Sequence, residues 1–208
     1  MEATLRSTGN LSTRVIHAKR APLSWRLHNA LRWVYLRGWL GYHAAPIFGR
    51  LFGFGTFVSS LRLMVRKADG EMVDYGVASY RVVTTVGVTA MALSFGTQAS
   101  PGNFFYHGIG TGAGAEAVGD TQIATECTTQ YNPDNTRATG THTEAAGVYT
   151  TVGTNTVDEI AAVTEHGILT QAATGGGSLL DRHLFAAVNL ASGDGLQSTY
   201  TLTFTAGG

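Results

Sequence analysis

Leu184–Phe204, LFAAVNLASGDGLQSTYTLTF, decides the fold class of this chain. Leu196, Tyr200, Leu202 and Phe204 fall on one side of its second half, and Gln197, Thr199, Thr201, Thr203 and then Thr205 on the other. A period of two with one apolar and one hydroxyl-rich face is the pattern of a half-buried β-strand. Leu184, Ala186, Val188 and Leu190 alternate the same way, and Ser192-Gly193-Asp194-Gly195 supplies the turn between the two runs. The segment therefore predicts a terminal β-hairpin.

Upstream as far as Asn103 the texture is the same: short alternating runs divided by Gly, Asn, Asp and Thr. Such a series predicts an antiparallel sandwich or barrel. Before it, Leu61–Lys67 and the run from Met72 flank Asp69-Gly70, a hairpin turn signal. Val82–Phe95 (VVTTVGVTAMALSF) predicts a short helix on the sheet, its Val86, Met91 and Leu93 facing inward. Charged residues make up 13% of the 208-residue chain, well below the usual quarter, while its 27 glycines are nearly double the average share. The surface is thus built from Thr, Ser, Asn and Gly. With 44% hydrophobic residues the chain has enough to pack a core, and its single cysteine excludes a disulfide framework and a Cys-based zinc site.

The formal net charge of zero hides a division. Residues 1–81 carry 12 of the 14 Lys/Arg and 4 of the 14 Asp/Glu, leaving 2 basic and 10 acidic residues beyond them. Asymmetry of this kind points to an acidic partner, nucleic acid or a membrane surface. Residues 1–20 show no period and are expected to form an arm. From Ser24, taken as N-cap, a short helix is predicted, with Leu23, Leu27, Leu31 and Val34 on its apolar stripe and Gly38 and Gly41 ending it. Residues 41–60 have no period that separates helix from strand. Gly38–Gly49 and Leu51–Leu61 are free of formal charge, but each falls short of the ~20 residues that span a bilayer. The candidate contacts to a protein lattice or to nucleic acid are Arg14, Lys19, Arg20, Arg26, Arg32, Arg37 and Arg50, interleaved with Trp25, Trp33, Tyr35 and Trp39. Attachment to an acidic protein surface ranks first among these readings, and attachment to an anionic membrane last.

Motifs of catalysis are missing from the pattern. Gly108–Gly114 (GIGTGAG) has neither the Lys-Ser/Thr of a phosphate loop nor the glycine spacing of a dinucleotide fingerprint, and reads as a connection between strands. None of the 7 histidines has metal-ligand spacing. Glu165 and His166 are neighbours on a strand and point to opposite faces, leaving only a convergence of His107, His166 and Asp181 through folding. Cys127 sits beside Glu126, which discourages a thiolate. Ser178 lacks the closing glycine of a nucleophile elbow. No enzyme activity, cofactor or metal is expected.

One joint set of motifs is more specific. Asp74–Val77 (DYGV), Arg81–Thr85 (RVVTT), Tyr106–Gly112 (YHGIGTG), Glu116–Thr121 (EAVGDT), Tyr131–Asp134 (YNPD), Thr136–Gly140 (TRATG), Thr164–Ile168 (TEHGI), Gly175–Arg182 (GGGSLLDR) and Tyr200–Gly208 (YTLTFTAGG) follow one another through residues 74–208. In this set the chain resembles a group of small virion structural proteins of tailed bacteriophages and prophages. The resemblance implies a non-catalytic building block of the particle, located in the virion: a head-decoration or head-associated subunit first, a tail, tail-fibre or adaptor component second. A nucleic-acid-binding packaging protein using the basic N-terminal part is the reading from another class. The implied partners are major capsid or tail proteins and further copies of the chain, a trimer suiting a capsid's local symmetry axes. The resulting expectation is a mainly β chain. Residues 1–63 form a basic extension of arm and short helix, and residues 64–208 an antiparallel sandwich or barrel-like domain. Because the resemblance begins near Met64, translation starting there is a further expectation.

Overall fold

The computed structural model describes residues 18–81, 83–97 and 104–207. Its elements in chain order are β1 (Lys19–Arg20), α1 (Leu23–Leu31), α2 (Trp33–Phe52), β2 (Thr56–Arg66), β3 (Met72–Arg81), α3 (Thr85–Thr97), β4 (Tyr106–Gly110), β5 (Ala138–Thr139), β6 (Thr141–Ala145), β7 (Val148–Thr156), β8 (Ala161–Leu169), β9 (Leu179–Leu190) and β10 (Gly195–Thr205). One sheet has the order β1-β3-β2-β10-β7-β6 and the other β5-β4-β8-β9. Among the described residues only the two-residue pairing of β1 with β3 is parallel. The chain is mainly β, a sandwich of two antiparallel-rich sheets, as the alternation predicted.

Its core lies where the inward sides of both sheets meet. Leu61, Leu63 and Val65 of β2 and Leu196 of β10 pack with Val163 of β8 and Phe185 and Val188 of β9. A second cluster joins Tyr200 and Leu202 to Ile168, Leu180 and Val83, with Ala90 and Met91 of α3 against it. The β2–β3 hairpin turns at Asp69-Gly70, where Gly70 takes φ +88° and the Asp69 carboxylate accepts from the Glu71 N–H at 2.9 Å. Helix α3 occupies the place predicted for it, although Val82 lies outside the described residues. Val86 and Met91 are half-buried there, but Leu93 is 60% exposed rather than turned to the sheet.

The terminal hairpin does not form. β9 and β10 lie in different sheets, β9 paired with β8, and β10 with β2 and β7. The alternation identified both strands correctly, but their apolar faces look at each other across the sandwich rather than side by side. Residues 191–194 form an arch between the sheets. It is held by Asp194, whose carboxylate accepts from the Ala191 N–H at 2.9 Å, the Ala68 N–H at 3.1 Å and Lys67 Nζ at 2.7 Å.

The N-terminal helix also departs from expectation. Pro22, not Ser24, is the N-cap of α1, and Arg32 in extended conformation separates α1 from α2. Gly38 and Gly41 do not end the helix, which runs on to Gly53 in the left-handed conformation at φ +74°. Gly38 is a contact point instead. A Cβ there would lie 2.1 Å from the Tyr80 carbonyl oxygen, so glycine is what lets α2 lie against β3. The division at 63/64 cuts β2, whose Leu61 and Leu63 are core residues paired to Tyr200 and Ser198.

Candidate interaction surface

Two side chains fix α1 across the seam between the sheets. Asn29 donates from Nδ2 to the Ala78 carbonyl of β3 at 2.9 Å and accepts from the Ala186 N–H of β9 at 2.8 Å. Trp25 donates from Nε1 to the Ala187 carbonyl at 2.9 Å and packs edge-on against Tyr75, ring centroids 4.7 Å apart. These bonds cap edge groups of β9 that would otherwise invite another strand. The side of α1 turned to the body thus carries Trp25 and Asn29 rather than the leucines. Leu23, Leu27 and Leu31, predicted to be its buried stripe, are 65%, 54% and 74% exposed. The side chain of Val34 lies outside those described.

Helix α2 has an exposed apolar side of its own. Tyr35 and Tyr42 turn inward onto Tyr80, while Trp33, Leu36, Leu40, Ile47 and Leu51 are left 44–74% exposed on the outer side. Monomers seldom leave so large a contiguous apolar patch uncovered. The charged residues predicted to make contacts are distributed around it. Arg26, Arg37 and Arg50 are exposed and Arg32 is half-buried, with no acidic residue anywhere in 18–68. Arg14 lies outside the described residues. Lys19 and Arg20 belong to β1 rather than to an arm, and Lys19 pairs with Glu71 at 3.0 Å.

Folding does bring His107, His166 and Asp181 to one place, and adds His183, which the sequence reading did not select. All four are fully buried between the sheets. His107 Nδ1 lies 3.0 Å from His166 Nε2, and His107 Nε2 3.1 Å from Thr151 Oγ1. Asp181 Oδ2 accepts from Ser59 Oγ and, at 3.3 Å, from the Tyr200 hydroxyl. His183 Nε2 lies 3.4 Å from the same oxygen, outside hydrogen-bonding geometry. Burial holds His107 down at about 3, and burial with the neighbouring His107 and His183 holds His166 well below the usual imidazole value. Both rings are therefore neutral at neutral pH. Among the described residues no group of His, Cys, Asp and Glu is arranged to hold a metal.

On the opposite face of β8, Glu165 accepts from the Gly112 and Thr125 N–H groups at 2.9 and 2.7 Å and from Arg182 Nε at 2.7 Å. Arg182 also reaches Asp120 at 3.0 Å. This knot holds residues 111–126 over the outer side of the second sheet. The glycine run serves close packing. Gly108 and Gly110 lie within β4 rather than in a connection, and a Cβ on Gly110 or Gly112 would come within 2.4 Å of the Thr125 carbonyl or the Glu165 carboxylate. Cys127 is buried, and its thiol is pushed up to about 11 by burial and then by Glu126 and Glu165.

A cleft of about 670 Å³ between α2 and residues 116–118 is lined by Arg37, Glu116, Asp181 and Arg182 among others. It reaches Asp181 but is not lined by any of the three core histidines, and Glu116 already accepts from the Leu184 N–H at 2.7 Å. The helical face presents apolar side chains with guanidinium groups around them. No helix among the described residues is long and apolar enough to cross a membrane. No protein-family model matches the chain, and no curated protein matches it either.

Proposed function

We propose that this chain is a non-catalytic structural protein of a tailed-phage particle, a head-decoration or head-associated subunit that attaches to neighbouring virion proteins through the outer face of α1 and α2. The observation that carries the reading is that face: apolar side chains 44–74% exposed, ringed by Arg26, Arg37 and Arg50 with no acid between residues 18 and 68. An apolar centre with a charged rim is how protein interfaces are built. The motif resemblance over residues 74–208 points the same way, toward a virion rather than toward any other assembly. Many copies on one lattice add their contacts, so no single copy needs a deep pocket.

Immunogold labelling of intact particles tests it. Label over capsids is the expected result. Label over tails replaces the head assignment with a tail, tail-fibre or adaptor role, and absence of label from all particles overturns the particle role. Packaging through nucleic acid is the second reading, favoured by the exposed Arg37 one helical turn from Trp33. It requires DNA binding that falls steeply with salt, whereas the lattice reading expects none.

A further inference from the structure

The apolar face of α2 has a counterpart on the same chain. The helix is about 30 Å long at 20 residues, and its outward side chains include a tryptophan 74% exposed and a phenylalanine 51% exposed. Aromatic side chains bury about 150–250 Å² each when fully covered, so this face offers a partner apolar area to bury. Near its C-terminal end, Pro46, Ile47, Arg50 and Leu51 line a shallow hollow of about 450 Å³, apolar apart from its guanidinium.

The complementary feature lies in the loop between β7 and β8. Ile160 is 83% exposed, the most exposed large apolar residue among those described. It follows Asp158 and Glu159, both exposed. Knob and hollow sit at opposite ends of the strands. Thr156, which leads into the knob, is level with Gly195 and Arg66 at one end of the sheet. Thr56, which follows α2, is level with Thr205 at the other. The two cannot meet within one molecule.

We propose that copies of this chain associate head to tail, Ile160 of one copy seating in the Pro46–Leu51 hollow of the next, with Asp158 and Glu159 facing Arg50. A symmetric pairing of α2 with α2 would cover the apolar face, but it brings arginine rims together without a carboxylate, and like charges in an interface favour other partners. The head-to-tail contact is heterologous, so copies close into a ring or extend as a filament according to the rotation between them. The inference deepens the structural reading above, naming the first partner of the helical face as the chain itself.

Sedimentation equilibrium of the full-length protein tests it. Wild type is expected to self-associate, and Ile160→Asp to weaken the association about 30-fold, the scale of losing one central anchor. Ile160 is too exposed for this change to unfold the body. Arg50→Glu is expected to weaken association as well, and Asp158→Arg with Glu159→Arg in the same chain to restore it. A wild-type monomer, an oligomer indifferent to Ile160→Asp, or a failure of the reversed charges to restore association overturns the head-to-tail contact. A monomer that is nonetheless found in purified particles overturns this contact alone and leaves the particle role standing. A head-to-tail oligomer absent from particles supports the contact and removes the role.

Discussion

His107 and His166 lie with two ring nitrogens 3.0 Å apart, and one must donate while the other accepts. Both cannot take a second proton without bringing two N–H groups together in a dry core, and both are held below the usual imidazole value. The unfolded chain binds protons at these rings from about pH 6.5 downward, while the folded chain resists them. The sign follows. Their contribution is fully present above about 6.5 and is lost as pH falls below it, for His107 down to about 3, by about 1.4 kcal/mol per pH unit for each proton the unfolded chain takes up in excess. Urea midpoints measured between neutral and mildly acidic pH should fall steadily, and a flat profile would contradict the neutral pair. Asn29 is the other residue on which much depends. Asn29→Ala leaves the Ala78 carbonyl and the Ala186 N–H without their partners, and is expected to cost about 2–4 kcal/mol in urea unfolding. A loss under 1 kcal/mol would mean that the seam is held by apolar packing alone.

Among the elements, β2 reaches furthest into the fold. It pairs with β10 over its whole length and with β3 on its other edge, and its Leu61, Leu63 and Val65 are fully buried. A chain begun at Met64 would keep a quarter of the strand and lack both leucines, together with the helices that close the seam. Purified 64–208 is accordingly expected to lose cooperative thermal unfolding. A sharp melting transition equal to that of the full chain would show that the upstream elements are dispensable. β2, β3, β9 and β10 were legible in the sequence because alternation and Asp-Gly turns are local signals. What was not legible depends on distant partners. Nothing within Leu184–Phe204 says that β8 and β2 compete better for β9 and β10 than those strands do for each other. Nor does Gly38 show locally that its glycine serves an approach to Tyr80 rather than a helix end. The α1 stripe misled for a related reason: Asn29 and Trp25, both visible in the sequence, find hydrogen-bond partners only once β3 and β9 are in place.

At the scale of the whole molecule, the division of charge becomes a division of surfaces. Buried acids such as Glu165 and Asp194 are matched by Arg182 and Lys67 inside the body, while the arginines of α1 and α2 have no acidic residue among their sequence neighbours. The histidine convergence raised from sequence is real in space, with its three rings buried between two sheets, where they bear on stability. The central claim is that this chain serves as a stoichiometric part of a particle and attaches by its helical face. Quantitative peptide mass spectrometry of gradient-purified particles tests it most directly. Peptides from residues 18–66 and from 104–207 are predicted at equal abundance and in many copies per particle. Their absence from particles, or the presence of the second set without the first, would contradict it.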